Sequence, residues 1–305
     1  MTIRRHSDDP VITALSALAP DAGFTRGELE RTGGRRLRWV ESATAGPTIL
    51  LAAGAGDTVL DWGTILPALA ADFRVVAYDR AGLGASDPSG RRLTIDSQVD
   101  DLVALLDARG PALLVGHSWG GLLAQHAAAA RPGQVAGVVL VDPTHEEVMA
   151  ALPKRLQLGS EVILGWIVAL KAVGRFDKWL DKHARGLADR CTDDPAIREL
   201  LVTAYHASYA GIAQVAAIRA ENRLASAVPA ARRARATLVP PDVPMTILTA
   251  TRDKPPNLQI RSAELADETA AAYPRGQHIV IDDSGHYIHH DQPAATVAAI
   301  KSAAG

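Results

Sequence analysis

The feature that most constrains this chain is the pentapeptide Gly116-His117-Ser118-Trp119-Gly120, which stands between the apolar run Ala112 to Val115 and a Leu- and Ala-rich segment. Where a strand turns directly into a helix, the corner residue is left strained and exposed. Side chains beside it would collide with neighbouring backbone, so glycine is needed on both flanks. The start of the following helix places partial positive charge next to the corner. Ser118 is therefore expected to be a nucleophile and not an inert turn residue.

A serine hydroxyl attacks well only when a positioned base takes its proton and a carboxylate fixes the tautomer of that base. His286, in Asp283-Ser284-Gly285-His286-Tyr287 after the run His278 to Ile281, is the expected base. His289 and His290 fall just before a helix and are expected to be solvated, with His117 packed under the corner. For the acid, Asp253 follows the run Met245 to Ala250 after two residues and is preferred. Its competitor is Asp142, which ends the run Val138 to Val141 and also reads as a brace for the turn at Pro143. Two N–H donors for a developing oxyanion are expected at Trp119 and at Ala55, the latter in the loop Ala52-Ala53-Gly54-Ala55-Gly56-Asp57.

The rest of the chain supplies a scaffold for such a corner. Six apolar runs, Thr48 to Ala53, Phe73 to Tyr78, Ala112 to Val115, Val138 to Val141, Met245 to Ala250 and His278 to Ile281, alternate with amphipathic stretches. Their near-continuous apolar character fits parallel strands covered by helices on both faces. Phe24 to Arg31 and Leu37 to Glu41 flank Gly33-Gly34 and read as an antiparallel hairpin at the sheet edge. From 145 to 240 no strand candidate appears and helical spacing dominates. The expected division is an N-terminal extension (1–23), a catalytic domain (24–144 and 241–305) and a helical cap (145–240). Within the cap, Ile163, Trp166 and Ile167 share one apolar helix face with Val162 and Leu170, and are expected to line the substrate pocket.

Charge and cysteine usage exclude several classes of function. Net charge is -2, and the basic cluster at Arg232, Arg233 and Arg235 reads as a solvated helix face, so no nucleic-acid or anionic-membrane partner is expected. The single Cys191 permits no intrachain disulfide and no cysteine metal cluster, and no metal or cofactor is expected. The longest apolar run, Val162 to Val173, is shorter than the ~20 residues of a membrane span and contains Lys171. Asp8, Asp9 and Pro10 separate the early basic pair from the apolar run after it, unlike a secretory signal, and a cytoplasmic location is expected.

Taken together, these residues resemble the α/β-hydrolase superfamily from about Phe24 onward. Tyr78 to Asp87 is similar to the D-R-x-G-x-G-x-S segment of that family, and Val139 to Pro143 to its sixth strand. The order Ser118, Asp253, His286 is also the family's. The resemblance implies an α/β fold: an eight-stranded, mostly parallel sheet with helices on both faces and a helical cap inserted after strand six. One departure is Ala53-Gly54, where the family commonly has His-Gly. The activity implied is cleavage of a small-molecule carboxylic ester or lactone with an apolar acyl part, through an acyl-Ser118 intermediate. Acyl transfer, C–C hydrolysis, perhydrolysis and a non-catalytic ligand-binding role are the alternatives on the same fold.

Overall fold

The computed structural model describes residues 9–152, 175–209 and 211–305, together with 162, 165–167, 169, 170 and 173. Eight strands form one sheet: β1 (Thr25–Glu30), β2 (Arg36–Glu41), β3 (Thr48–Ala52), β4 (Arg74–Asp79), β5 (Ala112–His117), β6 (Val135–Val141), β7 (Pro244–Ala250) and β8 (Arg275–Ile281). Their spatial order is β1-β2-β4-β3-β5-β6-β7-β8. The β1–β2 hairpin turns at Gly33-Gly34, both with positive φ, and β2 joins β4 antiparallel; every other pairing is parallel.

Burial follows position in the sheet. β3, β5 and nearly all of β6 are enclosed on both faces, which is why they read as unbroken apolar runs. β8 lies at the edge, has only exposed and half-buried residues, and starts three residues before its apolar run. The two faces carry separate apolar clusters, one around Ile49, Leu51, Trp62 and Val115, the other around Leu50, Leu114, Trp119 and Leu140. The closing helix, Pro293–Ala304, packs on β6 and β7.

Between β6 and β7 the described residues form helices only: Glu146–Ala151, Phe176–Cys191, Pro195–Tyr209, Ile212–Ala225 and Val228–Ala236. The segment read as an N-terminal extension is part of the packed structure from Asp9 onward. Asp9 accepts hydrogen bonds from the Val11 and Ile12 amides and starts helix Pro10–Leu18. That helix buries Val11, Ile12, Ala14 and Leu15 and packs on helix Pro195–Tyr209. Sequence reading missed this because a nine-residue helix has little signature before its partner is known.

Helix Pro10–Leu18 is thus expected to stabilise the helices between β6 and β7 on which it packs. Leu15 is fully enclosed. Leu15→Ala should cost about 2–5 kcal/mol, read as a lower urea midpoint at unchanged slope. A loss below about 0.5 kcal/mol, the range of a surface substitution, would show that the helix is not part of the cooperative unit.

Candidate active site

The corner at the end of β5 has the predicted form. Ser118 has φ +50°, a region that L residues rarely occupy, and helix Trp119–Ala130 begins at the next residue. A side chain on Gly116 would meet the backbone of Gly120 and Gly121. One on Gly120 would run into the carbonyl oxygens of Ala52 and Ala53. The corner is held from β6 as well: the Ser118 amide donates to the Val141 carbonyl (3.0 Å), and the Thr144 amide donates to the Ser118 carbonyl (2.9 Å).

His286 reaches this serine from the loop after β8. Its Nε2 lies 2.9 Å from Ser118 Oγ. Its Nδ1 lies 2.6 Å from Asp142 Oδ2, so the expected acid, Asp253, is corrected to Asp142. Asp142 directly ends β6 with φ +41°, and its amide donates to the Leu248 carbonyl of β7. The turn after β7 runs differently: the amides of Thr251 and Arg252 both donate to the Ser284 carbonyl, and Asp253 follows with φ +71°. There Asp253 is exposed and lies against Gly285, where any side chain would strike its carboxylate.

What the β7 loop delivers to the site is the next residue. Lys254 Nζ donates to both Asp142 oxygens, at 2.7 and 2.6 Å. Burial alone would raise the Asp142 carboxyl, but the hydrogen bond and charge of His286, followed by those of Lys254, hold it well below the usual carboxylate range. An ionised Asp142 can only accept, so the proton of the neutral imidazole sits on Nδ1 and Nε2 is free to accept from Ser118. Sequence reading missed Lys254, although its place beside Asp253 after a strand was a usable signal.

The expected oxyanion donors, Ala55 and Trp119, lie in the loop after β3 and at the first helical position after Ser118. Among the described residues neither backbone N–H has a hydrogen-bond acceptor, whereas that of Gly56 donates to Glu221 Oε2 (2.8 Å). Thr144, also missed, places Oγ1 3.3 Å from Ser118 Oγ. Of the cap residues expected at the pocket, Trp166 is 52% exposed and Ile167 half-buried, while Ile163 lies outside the described residues.

Behind His286 lies a cluster of buried polar groups that corrects the expected solvated histidines. His289 is fully enclosed and its Nε2 is 3.0 Å from Asp61 Oδ2; His290 Nε2 is 2.8 Å from the Asp61 carbonyl oxygen. Burial opposes ionisation of Asp61, yet the two imidazoles hold it well below its ordinary value. Asp57 is pushed well above its own, by burial and then by the charge of Asp61. His117 is pushed well down, chiefly by burial, and its Nε2 lies 3.1 Å from the His286 carbonyl oxygen. Ligand atoms of Asp61, His289 and His290, and of Asp57, Asp61 and His117, come within 4.8 Å of one another, but the Asp61 carboxylate already serves His289 and His290.

Comparison with known proteins agrees with this architecture. A model of the alpha/beta hydrolase family matches residues 49–300. The chain is 50% identical over 74 residues to lipase LipV of Mycobacterium tuberculosis, a stretch covering 24% of this chain and only 28% of the lipase. It is 28% identical over 270 residues to 2-(acetamidomethylene)succinate hydrolase of Mesorhizobium japonicum, covering 86% and 89% of the two chains. Among solved structures, Cfl2 of Burkholderia cenocepacia superposes with TM-score 0.69 at 23% identity, covering 92% of this chain and 95% of that one, a likeness of fold.

The two acids make a direct test. Asp142→Asn should lower kcat by about 10⁴, because an amide on Nδ1 favours the wrong imidazole tautomer. Asp253→Asn should stay within about threefold of wild type, since its carboxylate does not touch the base. The reverse ranking in steady-state kinetics would return the acid to the β7 loop.

Proposed function

The chain belongs to the alpha/beta hydrolase family, and on that premise we propose that it is a serine hydrolase cleaving a carboxylic ester or lactone through an acyl-Ser118 intermediate. The observation that carries this reading is the unbroken relay Ser118 Oγ, His286, Asp142, at 2.9 and 2.6 Å. As Ser118 Oγ attacks the substrate carbonyl, its proton passes to His286 Nε2. The resulting imidazolium is stabilised by ionised Asp142. The negative charge on the former carbonyl oxygen is met by the N–H groups of Ala55 and Trp119, donors that need no reorganisation during the step. Collapse of the tetrahedral adduct breaks the bond to the alkoxide, which takes the proton from Nε2. Water then repeats the sequence, giving its proton to His286 and releasing the acid and free Ser118.

The acyl part is proposed to be apolar. Trp166 and Val162 leave much of their surface exposed, so these two side chains are not consumed in packing. The local match to a lipase points the same way.

Ser118→Ala should fold and lose kcat by about 10⁴ or more, and it should escape labelling by a fluorophosphonate that marks the wild type. Turnover above about a tenth of wild type in clean protein would remove the assignment. With p-nitrophenyl acetate, butyrate, hexanoate and octanoate, kcat/KM should rise with chain length. At ~0.8 kcal/mol per buried methylene, three carbons are worth more than about tenfold. Trp166→Ala should flatten the series, and a series that falls from acetate onward would replace the apolar pocket with a small or polar one.

A further inference from the structure

A single carboxylate from the cap stands behind both sides of the expected oxyanion hole. Glu221, on helix Ile212–Ala225, is fully buried and accepts four hydrogen bonds from groups of the sheet domain. Oε1 takes Arg80 Nε (2.6 Å) and Gln98 Nε2 (2.5 Å). Oε2 takes Arg80 Nη2 (2.9 Å) and the Gly56 amide (2.8 Å).

Each of these donors leads to the oxyanion hole. Arg80, 1% exposed, spends its remaining reach on the loop after β3, donating through Nη1 to the Ala53 carbonyl (2.6 Å) and through Nη2 to the Gly54 carbonyl. In a trans peptide the C=O and the following N–H point in opposite directions. Holding the Gly54 carbonyl on Arg80 therefore turns the Ala55 N–H away from it. Glu221 holds the other end of the same turn through the Gly56 amide, where φ is +84°. The second branch passes through Gln98, whose Oε1 accepts from the indole Nε1 of Trp119 at 2.7 Å. Trp119 is the residue whose backbone N–H is the other expected donor, and its side chain is fully enclosed.

We propose that Glu221 is a positioning residue that orders both oxyanion donors, so that the oxyanion hole is complete only when the cap is seated on the sheet domain. This rests on the acyl-serine reading above. Its physical basis is the stake attached to buried charge: an arginine enclosed beside the loop needs a matched carboxylate, and removing that partner leaves Arg80 unpaired in a dry site. The loop carbonyls would then be free to turn, and the Ala55 N–H with them. A fork-shaped guanidinium paired to both carboxylate oxygens also fixes orientation in a way a lysine does not.

The test compares wild type, Glu221→Gln and Arg80→Lys, each checked for folding by far-UV circular dichroism and thermal melting. In both variants kcat for an ester should fall by about tenfold or more, less than the 10²–10³ of deleting a donor outright, with KM within about threefold. The inhibition constant of a trifluoromethyl ketone, whose serine adduct carries the oxyanion, should rise by a similar factor. A role confined to stability would lower the melting temperature and leave that factor near one. Amide hydrogen exchange over residues 53–57, which needs no substrate, should speed up in Glu221→Gln relative to β7. Faster exchange in a protein that hydrolyses no ester would fault the assigned reaction and keep the positioning role. Exchange unchanged in Glu221→Gln, or kcat within twofold of wild type in a folded variant of an active enzyme, would overturn the proposal. If Glu221→Gln does not fold, Arg80→Lys gives the decision by the same measurements.

Discussion

The backbone crowding at Gly120 is the constraint on which the rest of the site depends. The loop at the end of β3 approaches so closely that no side chain fits at 120, and this contact sets the elbow against the Ala52–Ala53 carbonyls. The same turn is tied to β6 by the Ser118 amide and by the amide of Thr144, on either side of Asp142. The corner therefore fixes three things in mutual register: the proposed nucleophile, the loop carrying an expected oxyanion donor, and the strand end carrying the proposed acid. Strain at Ser118 is tolerable because its surroundings over-determine it, with β5 buried along its whole length.

Much of this was legible in the sequence, for reasons that can be named. A central parallel strand has no polar face, so β3, β4, β5, β6 and β7 announce themselves as apolar runs. The Gly-flanked serine follows from local sterics alone. His286 could be read because the last loop of such a sheet opens at the same edge as the elbow. The choice between Asp142 and Asp253 could not, because both follow a strand and both lie at the correct edge. What separates them is a turn closed by the Ser284 carbonyl, an acceptor on another loop, which directs Asp253 outward and Lys254 inward.

The same limit explains the other misses. His289 and His290 look like helix-start residues with nothing near them in the chain; their partner Asp61 is more than two hundred residues away. Glu221 is one acid on an amphipathic helix, indistinguishable in sequence from its solvated neighbours until Arg80 and Gln98 are found around it. Polar groups that work in pairs across long separations leave no periodic trace. Apolar residues do, because burial acts on a whole face at once.

The arrangement also divides the chemistry between two parts of the chain. The proposed nucleophile, base and acid all arise at one edge of the sheet, and Ser118 and Asp142 each lie within hydrogen-bond distance of His286 with no side chain from between residues 145 and 240 interposed. Lys254, from the loop after β7, reinforces that independence, since it adds to His286 in favouring the ionised form of Asp142. The cap enters instead through Glu221 and through the apolar face around Trp166. On the proposed reading it governs how well charge is stabilised in the transition state and which acyl group is held. A cap can then diverge to suit a new substrate without disturbing the relay, provided that the carboxylate facing Arg80 is kept. Losing it would leave a buried guanidinium without its partner, a penalty set by the sheet domain and independent of the substrate.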